Sequence, residues 1–404
     1  MAKLSLKDLK DLNGQRVLVR VDYNVPLDET GAQITDDKRI KATVPTLDYL
    51  IKAGAKIILC SHLGRPKGKR DPKQSLRPVA QRLSELIGVD VAFVDDCVGE
   101  KVDKVVANMQ PGQVVLLENV RFYAEEEKND MAFAEKLAKN ADVYVNDAFG
   151  SAHRAHASTE GVARILAKRG GKSAAGFLME KELEYLGGVI SNPARPLLCI
   201  LGGAKVSDKI KVIENLLNIA DVILIGGAMA YTFRKAQGFS VGKSLCEHDK
   251  IDLAKSLLEK AKGKKFLLPV DQLQTTEFKA GAPTRNTDGP SIEDGWEGVD
   301  IGQQTIEQYK REIAKAKTII WNGPMGVFEI PDFARGTFEI AKTIVEATEK
   351  NGAVSIIGGG DSAKAVKKAG LDKRVTFVST GGGASLEFLE GKPLPGVVAL
   401  TDRK

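Results

Sequence analysis

The chain has 404 residues, of which 43% are hydrophobic and 28% charged, with a formal net charge of +6 and a pI near 8.9. These proportions are ordinary for globular protein, and the positive excess is too small and too dispersed to point to nucleic acid. The length suggests two or three domains, and either half is long enough to bury its own core.

In chain order, strand runs alternate with helical periodicity. Val17–Val21, Lys56–Cys60, Val114–Leu117 and Val143–Val145 read as strands in the first half. Leu197–Leu201, Val222–Ile225, Phe266–Leu268, Thr318–Trp321, Val354–Ile357 and Val375–Val378 follow in the second. Between them lie helical patterns over Ile40–Ala53, Met131–Lys139, Val206–Ile219, Ile251–Lys262, Gln303–Ala316 and Phe333–Lys350. Strands apolar on both faces and separated by helices indicate parallel sheets covered on both sides. The expected class is α/β, and right-handed crossovers then give doubly wound topology. A boundary is expected between Lys168 and Pro196, where a helix over Met179–Val189 is bracketed by Arg169-Gly170-Gly171-Lys172 and the breaker run ending in Pro196. The expected division is residues 1–172, an interdomain helix and hinge over 173–195, a second domain over 196–390, and a short terminal segment.

Parallel sheets bind ligands at the carboxyl ends of their strands. In the first half those ends are cationic and polar: Arg20-Val21-Asp22-Tyr23-Asn24, Ser61-His62-Leu63-Gly64-Arg65-Pro66, Glu118-Asn119-Val120-Arg121-Phe122, and Asn146-Asp147 through His153-Arg154-Ala155-His156. Arg20, Arg39, Arg65, Arg121 and Arg154 all fall at or near strand ends or helix starts. Guanidinium groups match phosphate and carboxylate through bidentate bonding, so their shared placement suggests a basic basin. Each alone reads as a surface residue. Asp22 and Asn24 suit a hydroxyl-bearing ligand, and His62 adds a donor. From His62 to Arg82 there are seven Lys/Arg and one acid, Asp71, either a solvated loop or an approach surface for an anion. His153 and His156 have metal-compatible spacing with only Asp147 to complete a site.

In the second half the strands run into glycine: Gly202-Gly203-Ala204-Lys205, Gly226-Gly227-Ala228, Asn322-Gly323-Pro324-Met325-Gly326, Gly358-Gly359-Gly360-Asp361 and Gly381-Gly382-Gly383. A glycine turn between strand and helix exposes backbone N–H groups to a phosphate. Tight packing explains any one such turn, but not easily five in one sheet. Lys205 and Lys209 would share a face if Val206 opens a helix, and their charge opposes the dipole of a helix start. Asp361 reads as an N-cap, a Mg²⁺ ligand, or both. Glu329 reads as a ribose partner or an exposed loop acid. No G-x-x-x-x-G-K-[ST] is present, which excludes a P-loop. Gly358-x-Gly360-x-x-Ala363 loosely matches a dinucleotide fingerprint, yet no acid ends the next strand, which weakens the dehydrogenase reading. A non-catalytic nucleotide-binding module is the other class, and it leaves the arginines without a purpose.

Cys60, Cys97, Cys199 and Cys246 form no C-x-x-C pair and suggest free thiols in a reducing compartment. No run reaches membrane-spanning length, and Met1-Ala2-Lys3-Leu4-Ser5 has no apolar signal core, so the expectation is a cytoplasmic enzyme with no membrane partner.

Taken together, these segments resemble the phosphoglycerate kinase family over essentially the whole chain. The resemblance rests on Val19-Arg20-Val21-Asp22-Tyr23-Asn24-Val25-Pro26, Ser61 to Pro66, Asn146-Asp147-Ala148-Phe149-Gly150 through His156, Leu201 to Val206, Trp321 to Gly326, and Ser379-Thr380-Gly381-Gly382-Gly383-Ala384-Ser385. It implies two Rossmann-like domains joined by a hinge helix, with the tail 391–404 returning to the first. It also implies a monomer acting on 3-phosphoglycerate/1,3-bisphosphoglycerate and ADP/ATP with Mg²⁺. By motif position, Arg20, Asp22, Tyr23, Asn24, Arg39, His62, Leu63, Gly64, Arg65, Arg121 and Arg154 would bind the phosphoglycerate. Gly203, Ala204, Lys205, Lys209, Gly227, Asn322, Pro324, Glu329, Gly358, Gly359, Gly360, Asp361 and Ser362 would bind the nucleotide, with Asp361 on the metal. Arg39, Lys205, Lys209, Gly381, Gly382 and Gly383 would act on the migrating phosphoryl group.

Overall fold

The structure, a computed structural model, describes residues 2–403. The chain divides into two compact units, Met1–Glu184 with Pro393–Lys404, and Tyr185–Lys392.

The first unit is built on six strands: β1 (Arg16–Val21), β2 (Lys56–Cys60), β3 (Val91–Val94), β4 (Val114–Leu117), β5 (Val143–Asp147) and β6 (Lys172–Ala175). They form one parallel sheet in the order β3-β4-β2-β1-β5-β6. The chain leaves β1 for β2 on one side and later reaches β5 on the other. A crevice opens at such a switch point above the strand ends. In register, Arg20 of β1 lies between Cys60 and Asn146, so the polar ends of β1, β2 and β5 converge. The interior strands are Val-, Ile- and Leu-rich and buried because helices cover both faces. Two strands escaped the sequence reading. β3 is a short edge strand with an exposed Ala92, and β6 is Lys-Ser-Ala-Ala, which lacks the β-branched signal. The tail is tied to this unit: the Thr401 N–H donates to Ser173 O at 2.9 Å, and the Leu4 N–H to Thr401 O at 2.8 Å.

The helix Phe177–Ser191 contains the expected Met179–Val189 segment and runs through the division at residue 184. Its first turn is fixed by Asp147, whose Oδ1 accepts the Leu178 and Met179 N–H groups at 2.9 and 3.2 Å. Burial raises the Asp147 carboxyl to about 6. The carboxylate that might have joined His153 and His156 on a metal is thus committed to a helix start.

The second unit opens with β7 (Leu197–Leu201), β8 (Val222–Ile225) and β9 (Lys265–Leu267). It continues through β10 (Gln272–Thr275), β11 (Thr284–Asn286) and β12 (Glu297–Ile301), and closes with β13 (Thr318–Asn322), β14 (Val354–Gly358) and β15 (Phe377–Val378). Six strands form a parallel sheet in the order β15-β14-β13-β7-β8-β9, with its switch point between β7 and β13. β10, β11 and β12 form a separate antiparallel sheet that the sequence reading missed. β11 is wholly exposed, and β10 alternates Gln with Leu and Thr, a pattern that also suits a polar loop. The core centres on Trp321 and Tyr309, both fully buried. Their polar atoms are satisfied by strand-end carbonyls, Trp321 Nε1 on Gly323 O at 2.7 Å and the Tyr309 hydroxyl on Ile225 O at 2.6 Å.

Candidate active site

At the carboxyl edge of the first sheet, Asp22 follows β1 and accepts an Nη1 hydrogen of Arg39 at 2.9 Å. Arg39 is the second residue of the helix Lys38–Lys52, and its side chain is 42% exposed. Asn24 Oδ1 accepts the Gly64 N–H at 2.9 Å, and Arg121 Nη1 donates to Gly64 O at 2.9 Å. The turn after β2 is thereby pinned from two neighbouring strand ends. Asn119 completes the clamp, bonding Leu63 N–H and O at 3.2 and 2.7 Å. Arg65 and Arg154 are exposed, while Arg121 is half-buried with Nε 3.5 Å from Glu127.

Four of the expected phosphoglycerate-binding residues, Arg20, Tyr23, His62 and Leu63, are buried. Arg20 is fully buried; it donates to Ser158 Oγ at 2.8 Å, Val21 O at 2.5 Å and His62 Nδ1 at 3.0 Å. Tyr23 is also fully buried, its hydroxyl 2.9 Å from Thr43 Oγ1. The pleat of β1 turns Arg20 into a layer beside the sheet, and Tyr23, two residues past β1, is held inward by Thr43 of the helix Lys38–Lys52. Leu63 is buried too and offers only backbone, already used by Asn119.

The imidazoles are held neutral. Burial, then the charges of Arg20, Arg121, Arg39 and His156, put the His62 pKa well below its usual value. His156 falls to about 4, through burial and then Arg121, Arg20, Arg154 and His153. Beneath them, fully buried Glu126 accepts the Ser158 N–H and hydroxyl at 2.9 and 2.6 Å. Burial raises its carboxyl, while Arg20 and Ser158 oppose that shift. The sequence reading passed over Glu126 because it is the middle of Glu125-Glu126-Glu127, and nothing local sets it apart.

At the carboxyl edge of the second sheet four of the five glycine turns meet and pack on one another, those at Gly202, Gly226, Gly323 and Gly358. The Gly202 N–H bonds Asn322 O at 3.0 Å, Gly203 bonds Pro324 O at 3.1 Å, and Gly227 bonds Met325 O at 2.8 Å. These amides therefore hold the turns together and are not open to a phosphate, contrary to expectation. A Cβ on Gly202 would lie 2.0 Å from Pro324 O, so the two turns approach too closely for any side chain. Ser362 is likewise internal, its hydroxyl accepting the Gly323 N–H at 2.6 Å. The amides suited to an anion are instead those at the starts of the helices Gly360–Lys368 and Gly383–Leu389, which lack intrahelical acceptors.

The segment Val206–Lys209 is a turn, and its helix runs Ile210–Ile219. Lys205 and Lys209 therefore do not share a helix face. Lys205 is exposed. Lys209 caps the helix from outside and bonds Asn322 Oδ1. Burial lowers its pKa to about 8, with Asp208, Asp361 and Glu390 pulling the other way. Asp361 is not the N-cap of its helix; Gly359 is, with φ +87°, a backbone geometry that glycine adopts without strain. The Asp361 carboxylate is exposed and pairs with Lys364 at 3.2 Å.

Between these turns and β12 lies a cavity of about 260 Å³ lined by Gly203, Ala204, Gly227, Pro324, Glu329 and Asp361 of the expected set. Gly358, Gly359 and Gly360 adjoin Asp361, and Gly381 to Gly383 close the edge at β15. Tyr231, Leu245, Phe278 and Val299 also line the cavity, and sequence reasoning missed all four. Leu245 and Phe278 are each 56% exposed, apolar surface suited to a flat ring, but both sit in irregular segments without periodicity. One observation fits a nucleotide here: buried Asn322 Nδ2 has no hydrogen-bond partner, an open donor beside Gly359. The fit to Mg²⁺ is that of a phosphate-borne ion. No cluster of three metal-ligating side chains exists among the described residues, whereas the exposed carboxylates of Asp361 and Glu329 border the cavity.

A family model for phosphoglycerate kinase matches residues 6–392. The chain is 57% identical to a phosphoglycerate kinase of Acidobacterium capsulatum over 412 residues, covering all of both chains. It is 58% identical to the cytosolic phosphoglycerate kinase 3 of Arabidopsis thaliana, covering 99% of each. Among solved structures, the phosphoglycerate kinase of Coxiella burnetii superposes with a TM-score of 0.89 at 41% identity, covering 98% of each chain. The dehydrogenase alternative falls with these matches: the chain belongs to the phosphoglycerate kinase family.

Proposed function

We propose that this chain catalyses reversible in-line transfer of the acyl phosphate of 1,3-bisphosphoglycerate to MgADP, giving 3-phosphoglycerate and ATP. The observation that carries the mechanism is the electrostatic character of the first platform, where Arg39, Arg121 and Arg154 act on imidazoles that burial holds neutral and Arg65 neighbours Arg121. Transfer between a carboxylate and a β-phosphate needs no general base, because both nucleophiles are already ionised at neutral pH. Catalysis can then rest on alignment and charge stabilisation.

In this reading Arg39, Arg65, Arg121 and Arg154 bind the phosphoglycerate anion, with Asp22 and Asn24 orienting the turn and hydroxyl. The cavity beside Gly203, Gly227, Pro324 and Glu329 takes the nucleoside. Asp361 would hold Mg²⁺, which neutralises phosphate charge when bound with the nucleotide. Arg39, Lys205, Lys209 and the Gly381–Gly383 turn act on the migrating group. Residues 173–195 serve as the hinge, and approach of the two units excludes water from the acyl phosphate. The proposal includes a monomer in the cytoplasm. No helix among the described residues is long and apolar enough to cross a membrane.

A coupled assay with 3-phosphoglycerate and MgATP tests the reaction. Inversion at a chiral thiophosphoryl group is the expected stereochemistry, and retention would refute direct transfer.

A further inference from the structure

Two buried groups of fixed hydrogen-bonding character lie beneath the arginine cluster. A guanidinium only donates, and an ionised carboxylate only accepts. Arg20, fully buried, donates from Nε to Ser158 Oγ at 2.8 Å. Ser158 Oγ must therefore spend its own hydrogen on Glu126 Oε1, 2.6 Å away, while its N–H goes to the other oxygen at 2.9 Å. At the other end, Arg20 Nη2 lies 3.0 Å from His62 Nδ1. Since the guanidinium has no lone pair to offer, Nδ1 must be the acceptor. A neutral ring then carries its proton on Nε2. No group among the described residues bonds Nε2, and the residue keeps 6% exposure.

We propose that Arg20, Ser158 and Glu126 are positioning residues that hold His62 as a single neutral Nε2–H tautomer. The ring then serves the phosphoglycerate site as an uncharged hydrogen-bond donor to a substrate oxygen. This deepens the functional reading above and rests on it for the identity of the ligand. It also reassigns Arg20, which touches no ligand itself and acts through His62. Burial and the charges of Arg20, Arg121, Arg39 and His156 all disfavour a second proton on the ring. The counter-charge of Glu126 makes a fully buried arginine tolerable under the site, because an unpaired buried charge is strongly destabilising. The arrangement separates two tasks: exposed arginines supply the charge, and one imidazole supplies a directed bond whose protonation does not drift with pH.

Long-range proton–nitrogen NMR on histidine-labelled protein reads the tautomer directly. The protein has four histidines, so a His62→Gln variant assigns the signal. The expected result is an unprotonated Nδ1 and a protonated Nε2 for His62, unchanged between about pH 5 and pH 8, where a free histidine would titrate. A protonated Nδ1, or a ring that gains charge in that range, overturns the proposal. The double variant Arg20→Met/Glu126→Gln removes both buried charges together and so preserves their balance. In it, His62 is expected to populate both tautomers, and 3-phosphoglycerate affinity to fall roughly tenfold, the scale of one hydrogen bond, with ATP affinity unchanged. A folded double variant that keeps one Nε2–H tautomer and full affinity overturns the relay. The wild-type spectrum decides the tautomer whether or not that variant folds. A wild-type protein with the single tautomer that binds no 3-phosphoglycerate would overturn the functional reading while upholding the tautomer.

Discussion

Arg20 and Arg39 look alike in the sequence, each an arginine near a strand end or helix start, yet their environments are opposite. Arg20 is enclosed and fully bonded, whereas the Arg39 side chain is 42% exposed and touches only Asp22. An exposed ion pair contributes little to stability. Arg39→Ala is therefore expected to lower kcat by roughly 10²–10³ while shifting stability by under about 1 kcal/mol, checked by steady-state kinetics beside a denaturant melt. Lys209 gives a pH prediction. Its folded pKa of about 8 lies below the ordinary 10.5, so between those values the unfolded chain binds more protons. Stability from this group therefore rises with pH across that window. Function runs the other way, because a phosphate needs the cation. Nucleotide affinity is expected to weaken as pH climbs through about 8, and Lys209→Met to remove that dependence, as titration calorimetry would report. The residue types of the site were legible because strand ends are where parallel sheets bind. Exposure was not, since the pleat and the layers above it set which of two neighbouring side chains faces out.

At the scale of elements, the long apolar strands β1, β2, β4, β5, β7, β8, β13 and β14 were readable within about a residue or two, because both faces are buried and the signal is continuous. The edge strands of the first sheet, β3 and β6, and the insert strands β10, β11 and β12 carry no such signal and were missed. Glycine turns were correctly placed between strand and helix, but their role changed. They are spaced for turn-to-turn contact, with Gly202 against Pro324 and Gly227 against Gly203. Gly202→Ala would set a methyl 2.0 Å from a backbone oxygen that no side-chain rotation can move. The expected cost is about 1–3 kcal/mol, with loss of nucleotide binding. A denaturant melt and ATP titration of the variant check it, and wild-type values in both would show that the turns can separate freely. The start of the Lys205–Lys209 segment was misjudged for a related reason: helical periodicity extends to Val206, but the chain first makes a turn that places Lys209 on Asn322.

For the whole molecule, a donor and an acceptor held on separate units must meet for phosphorus to pass. Small-angle scattering is expected to show compaction when 3-phosphoglycerate and nucleotide are both bound, relative to either alone. An unchanged profile in the ternary complex would count against hinge closure. Composition, strand and helix periodicity, and the ordered motifs from Arg20 to Gly383 pointed by themselves to an α/β chain of the phosphoglycerate kinase family with two parallel sheets. Those features are local, carried by runs of neighbouring residues. Only the tertiary structure decided that Arg20 is a buried support, that Glu126 and Ser158 lie beneath His62, and that Leu245 and Phe278 border the cavity beside the glycine turns. Those contacts join residues tens of positions apart, and burial, which fixes both charge state and hydrogen-bond direction, is a property of the packed layers and not of any segment.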